Sequence, residues 1–203
     1  MFSLRKPTIG SIRRFLKRQA VLDFTYPAVG ATATSPPAGY ITDRTRIMLG
    51  SGEPIFLAAK AALQRWEHFR LGWVEPWPPE TPIQSGEVVA IMAWTAGLWT
   101  LNCCRIVYVV DEAGPIKRFG FAYGTLPGHV ESGEELFRIE WDQNTNIVWY
   151  DILAFSRPNH FLTRLGYPLV RHTQKRFGRD SAAAMFRAVN SVLPLPEVCQ
   201  STG

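Results

Sequence analysis

Apolar and polar side chains alternate along much of Val88 to Ser156, with β-branched and aromatic residues crowded into five runs. Alternation of that kind is the signature of strands with one buried face. The runs are Glu87–Trp94, Leu98–Asp111, Ile116–Leu126, Glu134–Asp142 and Ile147–Ser156. Turn-forming groups separate them: Thr95-Ala96-Gly97, Asp111-Glu112-Ala113-Gly114, a stretch with Pro127, Gly128 and Gly133, and Asp142 to Asn146. Consecutive strands joined by short turns predict an antiparallel meander. The rhythm then changes. Ser156 or Arg157 is placed to cap a helix with Pro158 in its first turn, and Gly166-Tyr167-Pro168 to kink it near Arg164. Beyond the kink one helical face continues through Leu169, Ala184, Ala188 and Val192, ending at Pro194.

Upstream, Ile9, Ile12, Phe15 and Leu16 recur at helical spacing within Thr8–Leu22. Ala31–Gly39 reads as a loop and Tyr40–Leu49 as a strand. Glu53–Phe69 reads as an amphipathic helix with Pro54 in its first turn. Trp73–Pro82 holds four prolines and two tryptophans, which predicts a packed loop and no regular structure. The order is helix, strand, helix, five strands, long helix. That order predicts an α+β fold: a curved antiparallel sheet of about six strands wrapped around a long C-terminal helix, with an N-terminal helix. Such a sheet does not fill its concave side, and the remaining space is expected to be an apolar ligand cavity. The whole of 1–203 is read as one domain, with 1–22 packed on it as a basic helix and 194–203 as a tail.

With 46% apolar residues, seven Trp and twelve Phe, the chain can build a sizeable core. Its three Cys include an adjacent pair, Cys103 and Cys104, whose side chains leave a strand on opposite faces. Neither a disulfide framework nor metal ligation by thiols fits that spacing, and a reducing, cytoplasmic setting is expected. No secretory signal is visible, and no apolar run is long enough to span a membrane. The net charge of +5 is local. Arg5, Lys6, Arg13, Arg14, Lys17 and Arg18 all precede the first acid, Asp23, and the remaining chain carries −1. A nearly neutral body is not expected to bind nucleic acid. Residues 1–20 could instead make peripheral contact with an anionic membrane, against the plainer reading of a docked helix with wet charges.

His129-Val130-Glu131-Ser132-Gly133-Glu134-Glu135 is the densest titratable group, and His129 and Glu131 are the acid–base candidates. The more common outcome for such a loop is a solvated turn. Arg105, Glu140 and Asp151 are charges among apolar strand neighbours, and with Tyr108 they are candidates for a polar cavity floor that orients a ligand. Arg105 shares its parity with Leu101, Cys103, Val107 and Val109. The plainer alternative is a salt bridge between strands, or an outer wet face. Gly120, Ala122 and Gly124 share one strand face, where close packing of the long helix is expected. His160, where the last strand gives way to the helix, is a candidate at the cavity rim. Arg171, Lys175 and Arg179 form a basic stripe whose default is solvation. No phosphate-binding loop, nucleophile elbow, metal motif or cofactor motif is found.

The runs Cys104–Tyr108, Gly120–Leu126, Gly128–Glu131, Gly133–Phe137, Trp149–Ile152 and Ala154–Pro158 resemble the uncharacterised domain-of-unknown-function family nineteen-ninety of bacteria and plants. Tyr26, Gly30, Gly39-Tyr40 and Leu49-Gly50 fit it as well, so the likeness covers about residues 1–190. That family is similar to the helix-grip superfamily of the birch pollen allergen and START-like lipid-transfer domains. The resemblance implies a helix-grip fold with the N-terminal region as part of it, and it carries no catalytic residues across. The leading expectation is a protein that binds a small apolar or amphipathic molecule, without enzymatic activity. The alternatives are an enzyme in the style of helix-grip cyclases or dehydratases, using His129 or Glu131, and a membrane-surface or partner-binding module using residues 1–20.

Overall fold

A computed structural model describes residues 2–159 and 167–191. Its elements are β1 (Phe2–Ser3), α1 (Ile9–Gln19), β2 (Ile41–Ser51), α2 (Glu53–Gln64), β3 (Val74–Trp77), β4 (Val88–Thr95), β5 (Leu98–Glu112), β6 (Ile116–Thr125), β7 (Glu131–Asp142), β8 (Ile147–Pro158) and α3 (Tyr167–Asn190). Short 3-10 turns cover Ala31–Ala33 and Glu67–Phe69. The strands form one antiparallel sheet in the order β2-β8-β7-β6-β5-β4-β3, with β1 added against β5. Among the described residues the sheet has eight strands where about six are expected.

One of the extra strands, β3, corrects the loop expected over Trp73–Pro82. Val74 to Trp77 pair with Ala93 to Ala90 of β4 at the sheet's edge. An edge strand tolerates Pro76, because a missing N–H there breaks no ladder on the open side. The helix expected to reach Phe69 stops at Gln64, where Trp66 turns left-handed (φ 59°) and starts the 3-10 turn. The last strand also runs further than expected. Ser156, Arg157 and Pro158 pair with Gly133, Ser132 and Glu131 as part of β8, so they do not cap a helix. Pro158 faces an end of the ladder, where its missing donor is harmless. Pro168 lies in the first turn of α3 as described, where no intrahelical bond is lost. The kink expected at Arg164 and the helix end at Pro194 lie outside the described residues.

The concave side carries the main core. Leu49, Phe121, Phe137, Ile139, Tyr150 and Ile152 of the sheet meet Phe56, Ala59, Leu63 and Trp66 from α2 and its turn. Met185 and Val189 bring the C-terminal half of α3 into the same cluster. Full burial of each such side chain contributes roughly 1.5–3 kcal/mol. Part of the convex side is covered too. Thr8 caps α1 by accepting from the Ser11 N–H, and Ile12 and Phe15 pack on Ala90, Met92, Leu101 and Cys103. Cys103 thus lies in the convex cluster and Cys104 in the concave one, as neighbouring strand residues must. Among the described residues no helix is long and apolar enough to cross a membrane.

Candidate functional site

Between the N-terminal half of α3 and the sheet a space remains open. This cavity measures about 300 Å³, within the lower range of small-molecule sites. Phe69, Trp73, Ile91 and Ile152 supply apolar wall, and Leu169, Thr173 and Phe177 of α3 form the roof. Phe2, Ala96 and Leu98 carry the lining out to the β4–β5 hairpin.

The polar groups cluster on β6 and β7. Residues Glu131, Gly133 and Glu135 alternate along β7 and line the cavity together. Gly133 has no alternative residue here, since a Cβ would come 1.9 Å from the Phe155 carbonyl oxygen on β8. Tyr123 on β6 pairs directly with Glu135 and donates its phenol to Oε2 at 2.8 Å. Burial pushes the Glu135 carboxyl up to about 8, with the charges of Glu131 and Asp43 adding to the rise and the Tyr123 bond opposing it. Burial also raises Glu131, to about 7, against the hydrogen bonds it accepts from Gln174 and Ser156 and the positive field of Arg171. Gln174 of α3 donates to Glu131 Oε1 and, at 3.0 Å, to Ser156 Oγ. Beside it Arg171 clamps both oxygens of Asp43 on β2. A polar latch therefore holds the roof helix to three strands, β2, β7 and β8.

His129 also lines the cavity. Its Nδ1 lies 3.0 Å from both the amide nitrogen and the carbonyl oxygen of Glu131, so the ring braces the turn before β7. Burial lowers it to about 4, and at neutral pH it is uncharged. Among the described residues no group of three or more His, Cys, Asp or Glu converges to hold a metal ion.

Residues 25–184 match the family described as "Domain of unknown function (DUF1990)". A UPF0548 protein of Dictyostelium discoideum is 39% identical over 210 aligned positions, covering 94% of this chain and 97% of that one. The chain belongs to the DUF1990 family. Among solved structures this DUF1990 chain is similar to Ara h 8.0201, at 13% identity and a TM-score of 0.49, covering 75% of this chain and 99% of that one. It is also similar to human STARD10, at 10% identity and a TM-score of 0.48, covering 93% and 82%.

The DUF1990 structure brings His129 and Glu131 to the cavity and turns the expected polar floor away from it. Arg105 points to the convex side, where Nη2 donates to the carbonyls of Ala20 and Leu22 at 2.7 and 2.8 Å and the guanidinium lies over Phe24. It secures the end of α1 and is no part of the cavity floor. Tyr108 is on the same side, bonded to Thr32 Oγ1 at 2.8 Å. A bulge between Ile106 and Tyr108 shifts the alternation by one residue, so the parity read through Val107 and Val109 fails beyond Ile106. Asp151 pairs across the ladder with Arg46 and Arg138 while its neighbours Tyr150 and Ile152 enter the concave core. It accepts from Arg44, Arg46 and Arg138, and Glu140 accepts from Arg46 and Arg118. Both acids therefore belong to an outer-face ion network. His160 lies outside the described residues.

One further expectation changes. Gly124 is approached by Phe24 and Tyr26, and Gly120 by the β7 backbone, so the long helix is not what packs on that face. Ile12 and Phe15 of α1 are buried in the body, leaving Arg13, Arg14, Lys17 and Arg18 exposed. Ile12 and Phe15 are thereby packed within the fold, while Ile9 stays exposed. The sequence reading missed Tyr123 and Gln174. Tyr123 could have been found from its parity with Phe119 and Phe121, but Gln174 had no signal, because only the docking of α3 on β8 gives it partners.

Proposed function

We propose that this protein binds a small amphipathic molecule in the cavity between the sheet and α3. The carrying observation is a 300 Å³ space with aromatic and aliphatic walls and with Glu131 and Glu135 along β7 in its lining. An apolar body would lie against Phe69, Trp73 and Phe177, and a polar end would meet Tyr123, Glu131 and Glu135. Native mass spectrometry of purified protein, followed by solvent extraction, tests the reading. A bound small molecule should be lost in Ala154→Phe, which fills the space beside Glu135. Loss of nothing, with identical spectra for both proteins, would refute it.

A second reading has its own support. Two carboxyls raised to about 7 and 8 in one cavity are poised to give and take protons near neutral pH. Glu135 as acid and Glu131 as base would then move a proton on a bound substrate, in the manner of a cyclase or dehydratase. Incubating the protein with the molecule extracted from it separates the two readings. Conversion to a new mass by wild type and not by Glu135→Gln favours catalysis; an unchanged molecule favours binding alone.

A further inference from the structure

We propose that the ligand is an amine: a small molecule carrying a primary or secondary ammonium group on an apolar body, with the cation held between Glu135 and Glu131. This rests on the cavity-binding reading and narrows its chemistry. None of the described lining residues is Lys or Arg, whereas the lining includes Asp43, Glu131, Glu134 and Glu135. Two of these acids are already satisfied. Asp43 is clamped by Arg171, and Glu134 turns to the opposite face, accepting from Tyr26 Oη, Thr32 Oγ1 and the amides of Gly30 and Thr32.

Glu131 and Glu135 are different. Their bonds come from neutral groups: the Gln174 amide and Ser156 hydroxyl for Glu131, and the Tyr123 phenol for Glu135. Among the described residues the second oxygen of Glu135 accepts no hydrogen bond. The groups that bear on Glu135 are Tyr123 on β6, Cys104 on β5, Tyr150 on β8, Glu131 on its own strand, and Asp43 on β2 with its Arg171 on α3. Apart from that Arg171, already joined to Asp43, every one is neutral or acidic. A buried carboxylate requires a counter-charge, and among the described residues none is supplied beside Glu135. An ammonium would provide both the charge and N–H donors for the open oxygen. Phe69, Tyr123 and Phe177 add aromatic faces, which favour cations over anions. An anionic ligand would meet carboxylates and find no Lys or Arg among the described lining residues.

The test uses three probes with one body and different ends: phenylbutylamine, phenylbutanol and phenylbutanoate, titrated calorimetrically into the full-length protein near neutral pH. The amine should bind at least about tenfold more tightly than the alcohol, and the acid more weakly than either. Because the ammonium meets a largely protonated Glu135, binding should release a proton, and the heat should differ between phosphate and Tris buffers. Glu135→Gln should bring amine and alcohol to within about twofold while the alcohol's own affinity stays, which shows the variant is folded. If the alcohol binds and the amine binds no better, or if amine preference survives both Glu135→Gln and Glu131→Gln, the inference is wrong and the cavity reading stands. If no probe binds wild type, or all bind Ala154→Phe equally well, the cavity reading itself fails and the amine falls with it.

Discussion

Tyr123 and Glu135 stand directly opposite one another on β6 and β7, and the phenol is the only hydrogen-bond donor to the carboxyl among the described residues. A neutral donor softens burial without cancelling it. Glu135 therefore titrates near 8 in the folded protein against an ordinary 4.5. A carboxyl whose folded pKa is raised contributes stability below its unfolded pKa, and that contribution is lost as pH rises through the folded value. Wild type should lose about 1.4 kcal/mol per pH unit relative to Glu135→Gln as the pH rises from about 4.5 to about 8. Urea unfolding at about pH 5 and about pH 9 checks this. Parallel pH curves for the two proteins would show that Glu135 is better solvated than its surroundings imply.

At the acid end the relevant group is His68. It is fully buried between Trp66, Phe69, Phe121 and Phe137, and neither ring nitrogen has a hydrogen-bond partner among the described residues. Burial drives it down to about 3 from 6.5. A base with a depressed folded pKa contributes stability above its unfolded pKa, and that stability drains away as pH falls from about 6.5 towards 3. Replacing the ring by an apolar one of similar size removes both the slope and an unsatisfied polar group. His68→Phe should stabilise the protein by about 1–3 kcal/mol at neutral pH, and by more at about pH 5. A destabilised His68→Phe would mean that the imidazole has a partner, such as a buried water.

Which parts of this were legible follows from how locally each is determined. The meander showed because every turn carries its own Gly, Asn or Asp and every strand its own period. The polar face of the cavity did not show, because it depends on registers and bulges that no local pattern marks. One bulge after Ile106 was enough to put Tyr108 beside Thr32 on the convex side. Arg105, Glu140 and Asp151 were recognised as charges needing partners, and they have them, on the face opposite the cavity. Glu131 and Glu134 lie three residues apart in one short loop-to-strand run. Their carboxyls diverge by parity alone: that of Glu131 faces the cavity, and that of Glu134 anchors residues 26–32 on the outside.

The convex placement of Arg105 makes its own prediction. Its guanidinium binds two main-chain carbonyls at the end of α1, where a cation also favours the helix dipole. Arg105→Ala should cost about 1 kcal/mol, since the site is partly open to solvent. Amide exchange should speed up over residues 9–22 and not over β7. Binding of a cavity probe should be unchanged. A loss of probe binding in this variant would return Arg105 to the ligand's surroundings.

Asp151 should be far more sensitive. Its side chain is 3% exposed and neutralises three guanidiniums from two neighbouring strands, Arg44 and Arg46 on β2 and Arg138 on β7. Among the described residues, removing the carboxylate leaves those cations facing each other with Glu140 shared between Arg46, Arg138 and Arg118, the last of which also reaches Glu112. Asp151→Ala should cost about 3 kcal/mol or more by chemical denaturation, mostly from stranded charge. Pairing Asp151→Ala with Arg138→Met should recover part of that loss, because the double variant leaves one fewer cation unpaired. Additive losses would show instead that Asp151 acts through packing rather than through charge.

The latch on α3 connects stability to access. Gln174 bridges Glu131 and Ser156, and Arg171 reaches Asp43, so the first turns of the roof helix are held by polar contacts while its C-terminal half is held by Met185 and Val189 in the core. Polar contacts that are partly open to water open more readily than apolar packing. Gln174→Ala should therefore cost only about 1 kcal/mol of global stability. It should also accelerate amide exchange in residues 168–176 and leave exchange at 182–189 near the wild-type rate. A probe in the cavity should leave faster with little change in its rate of association, as expected when a roof contact is lost and the walls are kept. With the uncharged phenylbutanol as probe, Glu131→Gln, which keeps an acceptor for Gln174, should fall between wild type and Gln174→Ala in dissociation. Uniformly faster exchange along the whole helix would mean that α3 opens as one unit, and that the polar pair does not act as a separate gate.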